Sequence, residues 1–88
     1  MTTWDEPKRA TNVRKHGVDL AIAEDFDFTT GLIVEDASPT AREQREVALG
    51  WIGERLFVYV YTLRGDEDQA ISLRLAEPKE RRRYAENI

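Results

Sequence analysis

The run Leu56-Phe57-Val58-Tyr59-Val60-Tyr61 is uninterrupted by any charged residue. Valine and the aromatics favour extended backbone, and side chains alternate across a strand. Leu56, Val58 and Val60 therefore fall on one side, and Phe57, Tyr59 and Tyr61 on the other. A strand that is apolar on both sides belongs in the middle of a sheet with both faces covered. Residues 55–63 therefore belong in the middle of the sheet, with a neighbouring strand on each edge.

The flanking sequence supplies the neighbours. Arg45 through Ile52 reads as a strand running into Gly53-Glu54, a tight turn that leads directly into the central strand. Leu32-Ile33-Val34 reads as a shorter strand. Arg64 to Asp68 reads as a polar loop, and Gln69 to Leu75 returns as a strand in which Ile71, Leu73 and Leu75 alternate with Ala70, Ser72 and Arg74. Residues 36–44, with Pro39 and Thr40, form the one long linker. The helices lie outside this block. Asp5 is an N-cap, Glu6 and Pro7 suit a first turn, and Gly17 suits a left-handed C-terminal cap, which predicts a helix over Glu6–His16 with Ala10 and Val13 facing inward. Asp19 can cap a second helix with Leu20, Ala23 and Phe26 at helical spacing. Pro78 opens a terminal helix to about Asn87. The expectation is a single α+β domain spanning residues 1–88: two N-terminal helices, a four-stranded antiparallel meander and a C-terminal helix, with the helices on one face.

Cysteine is absent from the 88 residues, which excludes disulfides, thiolate metal sites and a cysteine nucleophile. No apolar run approaches the roughly 20 residues that span a bilayer, and the first residues are charged, so the chain reads as a soluble cytoplasmic protein. A net charge of −4 argues at first sight against a nucleic-acid partner. The charge is unevenly distributed, however. Residues 1–18 carry Lys8, Arg9, Arg14 and Lys15, residues 69–88 carry the adjacent Arg81, Arg82 and Arg83, and residues 19–36 carry six acidic side chains and no basic one. Phosphate binding responds to the local patch within about 8–10 Å rather than to the total. The charge permits an RNA site, and it equally permits an ordinary solvated surface.

Three stretches in this order carry a family resemblance. Trp4-Asp5 leads through Lys8 and Asn12 into Arg14-Lys15-His16-Gly17-Val18. Thr62-Leu63-Arg64-Gly65 ends the central strand. Ile71-Ser72-Leu73-Arg74 precedes Pro78-Lys79-Glu80-Arg81-Arg82-Arg83-Tyr84. Together, at these separations, they resemble the BrnT family of type II toxins. The resemblance spans nearly the whole chain and implies a RelE-like fold, which also allows a short strand at residues 2–4. It implies an endoribonuclease that cleaves RNA and inhibits translation without a metal ion or other cofactor, neutralised by a BrnA-like ribbon–helix–helix antitoxin, with DNA met only through that antitoxin. The alternative is a catalytically inactive RelE-like module that binds a protein partner. The chain departs from the family pattern at Gln69 and Leu75, where relatives carry basic residues.

RNA cleavage of this kind needs a group to deprotonate the ribose 2′-hydroxyl and cations to hold the scissile phosphate. Arg74, in the matched Ser-Leu-Arg element, is the first catalytic candidate, since a guanidinium fork matches two phosphate oxygens; otherwise it is an ion-pair partner for Glu77 or Glu80. Arg64 is the second, or else it answers the acidic Asp66, Glu67 and Asp68. His16 is the only histidine and the default acid–base group, yet both it and Lys15 are favoured at a helix C-terminus by the macrodipole alone. Lys15, Arg81, Arg82 and Tyr84 are the RNA-binding candidates. Tyr84 can stack on a base or simply pin the terminal helix to the sheet.

Overall fold

The structure, a computed structural model, describes residues 2–36 and 45–87. Its elements are β1 (Thr2–Trp4), α1 (Glu6–His16), a 3₁₀ helix (Leu20–Asp25), β2 (Leu32–Asp36), β3 (Arg45–Ile52), β4 (Arg55–Arg64), β5 (Glu67–Leu75) and α2 (Pro78–Glu86). The strands form one sheet in the order β1-β5-β4-β3-β2, so β4 is central as its two-sided apolar pattern requires. β3 and β4 pair without interruption from Arg45↔Thr62 to Ile52↔Arg55. Gly53, at φ 60°, makes the turn between them.

The two sides of β4 carry different cores. Phe57, Tyr59 and Tyr61 pack with Leu20, Ala23 and Phe26 of the 3₁₀ region and with Ala48, Ala70 and Leu73, joined at the rim by Trp4, Val18 and Ile52. Leu56 and Val58 pack on the opposite side with Leu49, Ala76 and Tyr84 of α2, joined by Leu32, Val34 and Val47. These are called the α1 face and the α2 face below. An aromatic series runs through the first core: Phe26 lies 5.2 Å from Tyr59, and Tyr59 stacks on Tyr61 at 4.8 Å. Gly50 permits this, because a methyl group there would overlap the Phe26 ring.

α1 has the bounds its caps dictate. The Lys8 N–H donates to Asp5 Oδ1, and Gly17, at φ 67°, closes the C-terminus by donating to Val13 O. α2 begins with a capping box, in which the Glu80 side chain accepts from the Glu77 N–H at 2.8 Å.

Several expectations are corrected. The second N-terminal helix is a six-residue 3₁₀ helix, so there is one early α-helix rather than two. Leu20, Ala23 and Phe26 recur every three residues, which is the 3₁₀ period, and Phe26 already has extended backbone. The four-stranded antiparallel meander is a five-stranded mixed sheet, because β1 adds parallel to β5 through Thr2↔Asp68 to Trp4↔Ala70. The helices do not share one face: the 3₁₀ helix packs on the Tyr59 side and α2 on the Val58 side, while α1 lies against β5 and the start of the 3₁₀ helix. Ala10 and Val13 do not face inward: Val13 is 46% exposed, and the buried residue of α1 is Asn12, at 4%. The loop after β4 is shorter than expected, with β5 starting at Glu67 and Asp68 buried beneath the sheet edge. There Asp68 Oδ2 accepts from Thr2 Oγ1 at 2.9 Å and from the Tyr59 hydroxyl at 2.7 Å. This buried carboxylate and the loss of solvent push the Tyr59 phenol far above its usual range, desolvation being the larger cause. The alternation in β5 breaks at a bulge, since Val60 pairs with Ser72 and Tyr61 with Ala70, leaving Ile71 as the extra residue. Ala70 and Leu73 therefore share the α1 face although they are three apart. Beyond Asp36, the expected linker lies outside the described residues.

Candidate functional site

β1 covers β5 only as far as Ala70. Past that point the edge of β5 is met by α1, and Asn12 makes the join. Its Nδ2 donates to Leu73 O at 2.7 Å and to Val18 O at 2.8 Å, while the Leu73 N–H donates to Asn12 Oδ1 at 3.0 Å. A carboxamide carries one donor side and one acceptor side, so Asn12 pairs with Leu73 as another strand would. This fixes α1 beside β5 and opens a groove between them.

The groove has a volume of about 370 Å³, within the range of small-ligand clefts. Lys8, Thr11 and Lys15 line it from one face of α1, at the i, i+3 and i+7 spacing that aligns side chains on a helix. His16 completes that wall, Asp5 stands at its start, and Ile71 and Ser72 form the opposite side. The bulge at Ile71 turns successive residues of β5 toward the groove. Asp5 accepts from the Lys8 N–H as the helix cap and keeps its charge, so the wall carries two ammonium groups, one imidazole, the Thr11 hydroxyl and one carboxylate.

Of the expected site residues, the structure brings Lys15 and His16 together here. It adds Lys8 and Ser72, which belong to the matched pattern but which nothing local in the sequence marks as site residues. Only the helical spacing of Lys8 and Lys15 was an available signal.

Arg74 lies elsewhere. It pairs in register with Val58 and so projects on the α2 face. Its guanidinium forms a bidentate pair with Glu80, with both contacts at 2.8 Å, and lies 3.8 Å from Glu77. The Glu80 hydrogen bonds raise the Arg74 pKa, and the same pairing holds the Glu80 carboxyl below its ordinary value. Arg74 is two residues from Ser72 on the same face of β5, roughly 7 Å along the backbone at about 3.3 Å per residue, so it flanks the groove across the strand edge. Leu75, one residue on, pairs with Phe57 and points to the α1 face.

Arg81 and Tyr84 gather around α2. Arg81 donates to Ala76 O at 3.1 Å. Tyr84 is buried, with its ring edge-on to Trp51 at 6.0 Å and its hydroxyl donating to Thr30 O at 2.7 Å. Arg82 is exposed on the same helix. Arg64 also projects on the α2 face by alternation from Val58, but six residues further along β4, about 20 Å away at ~3.3 Å per residue. The seven candidates thus divide among the α1–β5 groove, the α2 end of the opposite face and the far tip of β4. Among the described residues, no group of three or more histidines and carboxylates is arranged to hold a metal ion, and no helix is long and apolar enough to cross a membrane.

No curated protein matches the chain. The sequence model of a family described as ribonuclease toxin, BrnT, of type II toxin–antitoxin system matches residues 4–80. That span runs from Trp4 to Glu80 and takes in α1, the whole of β2 to β5 and the Arg74–Glu80 pair. By that match the chain belongs to the BrnT family, ribonuclease toxins of type II systems in which the toxin has an antitoxin partner.

Proposed function

We propose that this chain is a cytoplasmic endoribonuclease toxin that cleaves RNA at the α1–β5 groove, inhibits translation and is neutralised by a BrnA-like ribbon–helix–helix antitoxin. The observation that carries the reading is the convergence of Lys8, Lys15, His16 and Ser72 on one groove where α1 meets β5. An RNA strand crossing that groove meets two ammonium groups for its phosphates and one imidazole for proton transfer. In the proposed step His16 takes the proton of the ribose 2′-hydroxyl. The 2′-oxygen then forms a bond to phosphorus as the bond to the 5′-oxygen breaks. The leaving oxygen takes a proton from Lys15 or water, giving a 2′,3′-cyclic phosphate and a 5′-hydroxyl without a metal ion. Arg74 stands at the flank, where a neighbouring phosphate competes with Glu80 for its fork; Arg81 and Arg82 extend the cationic margin along α2, and Arg64 contacts RNA only if the strand continues to the tip of β4.

The test uses the purified chain and a labelled single-stranded RNA, with the new 3′ ends analysed for cyclic phosphate. Lys15→Ala and His16→Ala should each reduce cleavage at least tenfold with an unchanged circular-dichroism spectrum, because both side chains are exposed. Cleavage at the wild-type rate in both variants would refute the groove as the site.

A second reading, a catalytically inactive binding module, is favoured by the bidentate Arg74–Glu80 pair, which already occupies the guanidinium expected to hold phosphate. It predicts no RNA cleavage and normal growth when the chain is expressed without its partner.

A further inference from the structure

On the α1 face, between the 3₁₀ helix and the β4–β5 turn, lies a second groove of about 410 Å³. Its floor is aromatic: Phe28 and Tyr61 meet edge to face at 5.5 Å, continuing the Phe26–Tyr59 series outward. Phe28 and Leu63 are 45% and 50% exposed, large apolar side chains left uncovered side by side. The walls carry Glu24, Asp66 and Asp68 and, among the described lining residues, no cation. Glu46 stands beside the floor and accepts from the Tyr61 hydroxyl at 3.1 Å.

A wall of carboxylates around an exposed aromatic floor has a definite complement. We propose that this groove docks a basic amphipathic segment of the antitoxin, its apolar side chains on Phe28 and Leu63 and its Lys or Arg residues against Glu24 and Asp66. This inference rests on the toxin reading for the identity of the partner. The chemistry selects the class: aromatic faces attract ammonium and guanidinium groups, helices dock grooves through an apolar stripe, and matched potentials steer a cationic partner to the acidic patch. RNA is repelled from the same surface and drawn to the Lys8–Lys15 wall, so substrate and partner sort to different grooves.

The probe is a labelled helical peptide of repeating leucine and lysine, with a leucine–glutamine peptide of the same pattern as control, and binding to the full chain is read by fluorescence anisotropy. The lysine peptide should bind at least tenfold more tightly than the control and weaken as salt rises. Glu24→Lys with Asp66→Lys should reduce its affinity at least tenfold, and Leu63→Ser several-fold. The same charge reversals at Glu54 and Glu86, which are exposed but outside the groove, should have little effect. RNA cleavage by the Glu24→Lys, Asp66→Lys variant should equal that of the parent chain. Absence of binding, or equal losses from the remote and the groove reversals, would overturn the proposal. The ribonuclease reading is scored separately by the cleavage assay: peptide binding without cleavage would leave the docking groove standing and remove the catalytic one, and cleavage without peptide binding would do the reverse.

Discussion

Asn12→Ala removes three hydrogen bonds with one substitution, and the cost can be worked from their surroundings. The Leu73 N–H and C=O are buried where Asn12 meets them, whereas Val18 O is partly buried. A buried backbone group left without a partner costs about 1–3 kcal/mol. Val18 O can turn to water, so the two Leu73 groups dominate, and about 2–4 kcal/mol is expected once some relaxation is allowed. A domain of this length has roughly 4–13 kcal/mol of stability in all, at ~0.05–0.15 kcal/mol per residue, so the variant loses a large share. Urea unfolding followed by the fluorescence of Trp4 and Trp51 measures it. With a slope of about 1–1.5 kcal/mol per molar for a small domain, the midpoint should fall by roughly 1–4 M. The Leu73 amide should also exchange with solvent far faster. Asn12→Asp keeps an acceptor for the Leu73 N–H but turns an oxygen toward two carbonyls, so it should cost at least as much at neutral pH. A midpoint shift below about 0.5 M, with Leu73 exchange unchanged, would refute the argument that a side-chain amide completes the edge of β5.

Glu80 makes acid stability a second test. Its hydrogen bonds from Arg74 hold its carboxyl below the ordinary value of 4.5 in the fold, so the pair contributes fully above that value and is lost as pH falls through the lowered one. For a partly exposed pair this is about 0.5–1 kcal/mol; urea midpoints of Glu80→Gln and the parent should differ at pH 7 and converge as Glu80 is protonated. Gly50→Ala should cost about 1–3 kcal/mol by driving a methyl into the Phe26 ring, seen as a lower thermal midpoint; an unchanged midpoint would show that the ring yields freely.

The centre of the fold was legible because β4 declares itself twice, by its apolar alternation and by the Gly53 turn that joins it to β3. α1 was legible from its caps alone, since Asp5 and Gly17 act locally. What escaped was tertiary. Nothing local marks Asn12 as the buried residue of α1, because its partner is a strand edge 61 residues away. Asp68 looked like one of three loop carboxylates until Thr2 and Tyr59 were brought to it. The bulge at Ile71 depends on the partner strand, so alternation within β5 holds from Ser72 to Leu75 but puts Ala70 on the wrong side. The site divided in the same way: Lys15 and His16 are neighbours in any helix, but whether Arg74 and Arg64 join them depends on which side of the sheet each strand presents.

The edge of β5 is closed by contacts that span most of the chain, 66 residues from Thr2 to Asp68 and 61 from Asn12 to Leu73. The hairpins joining β3, β4 and β5 need only short loops and can form without the N-terminus, while such non-local pairings come late in folding. On the ribosome, α1 is synthesised first but has nothing to dock on until β5 has emerged. The α1–β5 groove is therefore completed only after β5 has been made, and until then a nascent chain carries its cationic helix without a finished site. In the folded protein the same seam is held by a three-residue strand, the Thr2–Asp68 and Asn12 hydrogen bonds and the Arg9–Asp19 pair, and hydrogen exchange should show it opening before the β3–β4–β5 hairpins. Release of α1 would dismantle the groove while the hairpins stayed intact, making activity more sensitive than the fold to mild denaturant.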